Sequence, residues 1–177
     1  DYYSPTHSGM KAFIMTKVGD IMMLAGMFLI FAFAGTFGFR ELLQDTTWAT
    51  QMQAQGLLVP AAVLLFGGAI GKSAQFPFCF WLPRAMEGPT PSSAISYGAL
   101  SVHVGILLLI KTQEIWQHSV YFKTILFIFG ITTAILSNLI SLVQSNIKGQ
   151  IAYATASQIG IMLIELSLGW INLTVLH

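Results

Sequence analysis

The chain has 177 residues, of which 55% are hydrophobic and 8% charged, with a mean hydropathy of +0.72 and a formal net charge of +1. Soluble domains carry about 25% charged residues, so this composition excludes a soluble domain and defines an integral membrane protein. The small net charge excludes nucleic-acid binding through a basic surface. The single cysteine, Cys79, excludes a disulfide framework and any CxxC metal or redox site.

About 20 apolar residues cross a bilayer as a helix, and about five stretches qualify. The opening residues, Asp1 to His7, are polar and form no signal peptide. With no initiator methionine, a processed or partial chain is expected. The first stretch covers residues 12–38 and holds Lys17 and Asp20 in its opening turns, at the membrane edge. Three residues apart, these two meet on one helix face, either as a neutralising structural pair or as part of an ion path. Residues 39–55, with Arg40, Glu41 and Asp45, read as a polar loop. The second stretch is 57–76 and the third 92–110, followed by a solvated link with Lys111, Glu114 and His118. The fourth is 121–143 and the fifth about 150–175. No segment alternates as a strand would, and no tract is of low complexity.

The second stretch runs into Lys72, and Pro77 follows it. Gly67, Gly68 and Gly71 thin the helix before the lysine, and Pro77 cannot donate the bond that would continue it. The helix is therefore predicted to break between Ser73 and Phe80, with a second short helix over Trp81 to Met86. Counted from the start of its span, Lys72 lies some two-thirds of the way across. Burial penalises a charged lysine, so its charge can switch when a counter-ion moves. The freed carbonyls at the break can orient water, as a proton relay needs. The other reading is a lysine snorkelling to the headgroups from an ordinary helix end.

Polar residues recur inside the later spans. Ser92, Ser96 and His103 fall on one stripe of the third, with Ser93, Tyr97 and Ser101 beside it. In the fourth, Thr133, Ser137, Ser141 and Gln144 recur every three or four residues, and in the fifth Lys148, Thr155, Gln158 and Glu165 share one arc. Serine and threonine serve equally well as hydrogen-bonded glue between helices. Lysine, histidine and glutamate are costly in lipid unless paired or hydrated. His103 has the ionisation range for proton transfer but also suits a hydrogen-bonded packing role, and Glu165 has no partner apparent in sequence. Lys72, His103 and Lys148 are expected to face the bundle interior. No dinucleotide fingerprint, Walker sequence, metal-binding spacing or nucleophile elbow is present.

Three blocks together carry a family resemblance. Gly71-Lys72-Ser-Ala-Gln-Phe-Pro77-Phe, Trp81-Leu-Pro83 and Ala85-Met-Glu-Gly-Pro89-Thr-Pro91 resemble the signature of the antiporter-like subunits of the respiratory complex I family, subunit 5 or subunit L above all. Lys17-Val-Gly-Asp20 is similar to an earlier span of that family, and Asn146-Ile-Lys148 through Ser157-Gln158-Ile-Gly160 to a later block. The resemblance implies an all-α integral membrane fold of two inverted repeats, each with a discontinuous helix and a buried lysine. Residues 1–177 would then be an interior piece of a proton-conducting transporter domain, with the acidic partner of Lys72 lying outside it.

The implied path residues are Lys72, Lys148, His103, Tyr97, Lys17, Asp20 and Glu165, with Pro77 at the break. The implied activity is translocation of protons or Na⁺ within a proton-translocating NADH:quinone oxidoreductase-like complex. No redox site or cofactor would sit on this chain, and its partners would be other membrane subunits and the lipid bilayer. The location would be a prokaryotic plasma membrane or an energy-transducing organelle membrane. Two departures stand out: Tyr97 replaces the usual histidine after the Gly-Pro-Thr-Pro turn, and Asn146 replaces the usual aspartate. They point to a divergent branch, such as a membrane-bound hydrogenase, a cation antiporter or an inorganic-carbon-accumulating complex. The competing reading is a structural membrane remnant that conducts nothing.

Overall fold

The structure, a computed structural model, describes residues 3–45, 47–87, 102–117 and 119–177. Its first helix, α1 (Tyr3–Ala34), runs for 32 residues. Pro5 falls in the first turn, where a missing N–H donor is tolerated, and nothing later breaks the ladder until Gly35 turns left-handed at φ +69°. The helix thus begins well before residue 12. Asp20, expected at the membrane edge, instead lies at the centre of the apolar stretch Thr6–Ala34.

Residues 39–44 and 47–54, expected as loop, are helical. Helix α2 (Phe39–Gln44) buries no residue and keeps Arg40 and Glu41 outside, whereas α3 (Thr47–Ala54) turns Trp48 and Met52, one turn apart, to a buried side and leaves Gln51 outside. The Trp48 indole donates to the Leu42 carbonyl at 3.1 Å. Helix α4 (Leu58–Lys72) leaves α3 at a bend of 110°. Its 15 residues reach only about 22 Å, short of a hydrocarbon core of about 30 Å.

After Lys72 the chain turns through Ala74, a non-glycine residue at φ +50°. A 3-10 turn (Phe78–Phe80) and the short α5 (Trp81–Ala85) follow, so the interruption expected around Pro77 is present in the backbone. Of the third expected span, only its end is described, as α6 (Val104–Lys111). Then come α7 (Gln113–Trp116) and α8 (Val120–Leu142), the latter within a residue of the predicted limits. The fifth expected span is divided: α9 (Ile147–Ser167) ends at Gly169, φ +82°, and α10 (Ile171–Leu176) follows.

Among the described residues, two helices are long and apolar enough to cross a membrane, Thr6–Ala34 and Val120–Leu142, and the bent α3–α4 pair gives up to one more. Helix α9 is long enough, but Lys148, Gln150, Gln158 and Glu165 lower its hydropathy.

Two glycine contacts organise the packing. A Cβ on Gly19 would lie 3.0 Å from the Gly71 Cα, and one on Gly160 would lie 2.7 Å from the Ala134 nitrogen, opposite Gly130. Backbones of α1 and α4, and of α8 and α9, therefore touch directly, as small residues allow in membranes. Between the pairs, Phe66, Leu82, Ile106, Leu126, Ile159 and Leu163 form one buried apolar core. Phe66 meets Phe122 and Phe129 edge-on at 6.0 and 5.5 Å.

Candidate functional site

The Gly19–Gly71 contact sets the geometry of the charged residues beside it. Asp20 follows Gly19 and Lys72 follows Gly71, so the close backbones bring the two side chains together. Lys72 Nζ lies 2.9 Å from Asp20 Oδ1. The second carboxylate oxygen, Oδ2, takes Lys17 Nζ at 3.3 Å from one turn earlier on α1. Lys17 also stands 5.4 Å over the Phe13 ring. Asp20 is thus an acidic partner of Lys72 within the chain. Fully ionised, the trio carries one excess positive charge, and loss of one lysine proton leaves a neutral pair. Lys72 closes α4, where the partial negative charge of the helix end favours a cation.

The side chain of Lys72 is 41% exposed and that of Asp20 21%. Within this chain Lys72 is therefore not buried, and His103 and Lys148 are likewise only half-buried. On α9 the inward face is the one with Gly149, Ala152, Ala156 and Gly160, which fits closely against α8. The Lys148–Thr155–Gln158 arc lies at its edge, half-buried to exposed, and only Glu165 of that set is buried. The stripe on α8 does turn inward: Thr133, Ser137 and Ser141 are all buried.

The break is held by its neighbours. The Trp81 indole donates to the Gly71 carbonyl at 3.1 Å, so this helix-end acceptor, expected to orient water, is already occupied. The Phe76 N–H donates to Thr133 Oγ1 at 3.1 Å, tying the break to α8. Helix α6 crosses so close that a Cβ on Gly105 would collide with Ser73 Oγ. Around this crossing, Ser73 Oγ, Gln75 Oε1 and, at the start of α6, His103 Nδ1 make no hydrogen bond among the described residues. Ser137 Oγ, one turn along α8 from Thr133, is also without one. Buried polar atoms rarely stay unpaired, and these four sit where the helix is interrupted or on the face that closes it.

Lys148 lies in the first turn of α9, where its backbone N–H is capped by Asn146 Oδ1 at 3.0 Å. Asparagine and aspartate serve equally as such caps, which gives a structural account of Asn146 in place of the expected aspartate. Glu165 has a partner that sequence reading missed: His177 Nδ1, at 3.1 Å from its Oε1. Tyr97 lies outside the described residues. The structure therefore joins Lys17, Asp20 and Lys72, places His103 beside the break, and leaves Lys148 and Glu165 on a separate helix.

A helix pair packed through facing glycines, with an aspartate–lysine bridge at mid-span beside an interrupted helix, is the architecture of a multi-pass membrane protein. Residues 3–177 match the family described as NADH:quinone oxidoreductase/Mrp antiporter, TM, and the chain belongs to that family. Among curated proteins it is 39% identical over 181 residues to NADH-quinone oxidoreductase subunit L of Pseudomonas aeruginosa, covering 99% of this chain and 29% of that one. It is 38% identical over 169 residues to the chloroplastic NAD(P)H-quinone oxidoreductase subunit 5 of Carpenteria californica, covering 94% of this chain and 23% of that one. Among solved structures, a chain of the Mrp complex from Dietzia sp. DQ12-45-1b superposes with a TM-score of 0.85 at 32% identity, covering 93% of this chain and 18% of that chain. The chain thus spans less than a third of the length of these relatives.

Proposed function

We propose that the chain is part of an antiporter-like membrane subunit that moves protons, or Na⁺, across a membrane within a multisubunit assembly. The observation that carries this reading is the 2.9 Å Asp20–Lys72 contact at the centre of an apolar helix. An anchor that snorkels has no need of a carboxylate about 20 Å from either helix end. A carrier does need one, because its charge must be stabilised in one state and released in the other. Lys17, on the other oxygen of the same carboxylate, supplies a competing cation that can hold Asp20 when Lys72 lets go. The unpaired polar atoms at the break, Ser73 Oγ and Gln75 Oε1, offer hydrogen-bonding sites on the way to Lys72. Membership of the NADH:quinone oxidoreductase/Mrp antiporter family supports the same conclusion.

A structural, non-conducting subunit is the second reading. It is favoured by the way Trp81 and Thr133 already satisfy backbone groups freed at the break. The experiment that separates the two is ion flux through the full-length protein in its native complex, reconstituted in vesicles, with Lys72→Arg and Lys72→Met. Arginine stays protonated, so a carrier fails with it while an anchor does not. Methionine removes the charge and also stops a carrier, and assembly is verified separately for both. Normal flux with Lys72→Arg would establish the structural reading.

A further inference from the structure

We infer that the cavity framed by α1, α2, α4 and α6 is a phospholipid site, with one acyl chain inside it and the phosphate against Arg40 and Lys111. The cavity measures about 280 Å³. Met23, Met27 and Ile30 of α1 line it, together with Leu43 of α2, Leu65 of α4 and Leu108 of α6. Two hydroxyls also reach it. Thr36 already donates to Glu41 Oε2, and Thr112 donates to the Leu108 carbonyl. A buried water needs about two to four polar partners, which so apolar a lining does not supply. Left empty, the space forfeits packing contacts for every side chain around it. An apolar occupant restores them.

Where the cavity lies says what that occupant is. The apolar stretch of α1 ends at Ala34, Gly35 turns the chain, and Phe37 folds back to stack on Phe31 at 4.3 Å. The cavity therefore sits against the last turns of a membrane-spanning helix, with the short α2 at the membrane edge beside it. Met27, Phe37 and Phe39, at its border, are 37%, 50% and 47% exposed, so it opens to the outer surface of the bundle. Helix α2 sorts its charges around this opening. Glu41 and Asp45, one turn apart, line a separate polar cavity with Thr47 and Gln51. Arg40 instead shares a helix face with Leu43, three residues on. Lys111 stands in the same relation to Leu108 on α6. Both cations are exposed, and neither has a hydrogen bond or ion pair among the described residues. They also lie on one side of the membrane. Gly105, at the start of α6, meets Ala69 deep along α4, whereas Ile115, beyond the end of α6, lines the cavity with Ile30 near the end of α1. Arginine grips phosphate through a rigid fork of donors and lysine as a point charge, and basic residues at this level attract anionic lipid. Two free cations beside an apolar cavity thus match an anionic head joined to a hydrocarbon tail.

The test reads lipid labelling rather than ion flux, so its outcome and that of the transport reading stay separate. The full-length protein in its native complex is reconstituted in phosphatidylcholine vesicles. These contain a small share of phosphatidylglycerol with a photoreactive diazirine near the end of one acyl chain. After irradiation, adducts are located by peptide mass spectrometry. Residues 23–30 of α1 are expected to carry several-fold more label than residues 135–142 of α8, an apolar surface without a cavity. Leu43→Trp, which fills the cavity, should lower the label on 23–30 several-fold and leave 135–142 unchanged. The double variant Arg40→Gln/Lys111→Gln should do the same, and because both side chains are exposed it carries the test where Leu43→Trp does not assemble. Equal label on the two surfaces would mean bulk lipid only. No label on 23–30 would mean that another protein segment covers the cavity. Undiminished label in the double variant would mean that the cations read no phosphate. Each of these three results overturns the site.

Discussion

At the scale of single residues, Asp20 does the most with the least room. It accepts from Lys72 and from Lys17, one on each oxygen, and so holds both lysines. Replacing it by asparagine keeps the shape and removes the charge both lysines face. Flux through the reconstituted complex is expected to fall at least as far with Asp20→Asn as with Lys72→Met, and the two changes together are expected to cost no more than either alone. Additive losses would mean that the residues act separately, and a double-mutant cycle on flux reads this directly. Lys17→Gln is expected to be milder, since its contact is longer and its side chain more exposed. Sequence alone made the Lys17–Asp20 pair visible through its spacing of three. It did not reveal Lys72 as the closer partner, because that contact depends on how α1 and α4 pack. Asn146 is a similar case: its place before Ile147-Lys148 is readable as a helix cap, and the 3.0 Å bond to the Lys148 N–H is that cap. Asn146→Ala is expected to destabilise the folded protein by about 1 kcal/mol while Asn146→Asp is neutral, as read by thermal unfolding in detergent.

At the scale of elements, the glycine contacts matter more than any one side chain. A methyl group on Gly19 would sit 3.0 Å from the Gly71 Cα and 3.2 Å from the Gly67 carbonyl oxygen, with backbone on every side that could give way. The helices must then separate, and the Asp20–Lys72 distance grows with them. Gly19→Ala is expected to cost about 1–3 kcal/mol and to lower flux with all charged residues intact. Gly9→Ala, which meets nothing within 4 Å, is the control and should change neither. A Gly19→Ala variant with unaltered stability and flux would show that α1 and α4 do not depend on this contact. The break after Lys72 was legible because Pro77 and the glycines before it signal it locally. Helix α3 was not, since its burial of Trp48 and Met52 depends on a partner surface no local pattern reveals. The end of α9 was missed for a different reason. Gly169 sits inside an apolar run that reads as one span, and only its positive φ shows that the chain turns back.

For the molecule as a whole, the question is which surfaces meet lipid and which meet other protein. Helix α1 is about 43 Å long over Thr6–Ala34, more than a bilayer core of about 30 Å requires, so it tilts or extends beyond the core. Helix α8, with 23 residues, reaches about 34 Å and fits with little excess. Leu24 on α1 and Ile135 on α8 both face away from the packed core, at 49% and 55% exposure, and both lie in the middle part of their helices. An aspartate at either position would face hydrocarbon or an apolar neighbour, and neither setting solvates it. Leu24→Asp and Ile135→Asp are therefore each expected to lower the insertion of their helix by about 3 kcal/mol, read by glycosylation mapping in microsomal membranes. Gln51→Asp on α3, already polar and exposed, should leave insertion of the α3–α4 pair unchanged. Should Ile135→Asp insert as well as the natural sequence, α8 cannot be a membrane span. The Thr133–Ser137–Ser141 stripe it turns toward α9 and the break would then line no path through a bilayer.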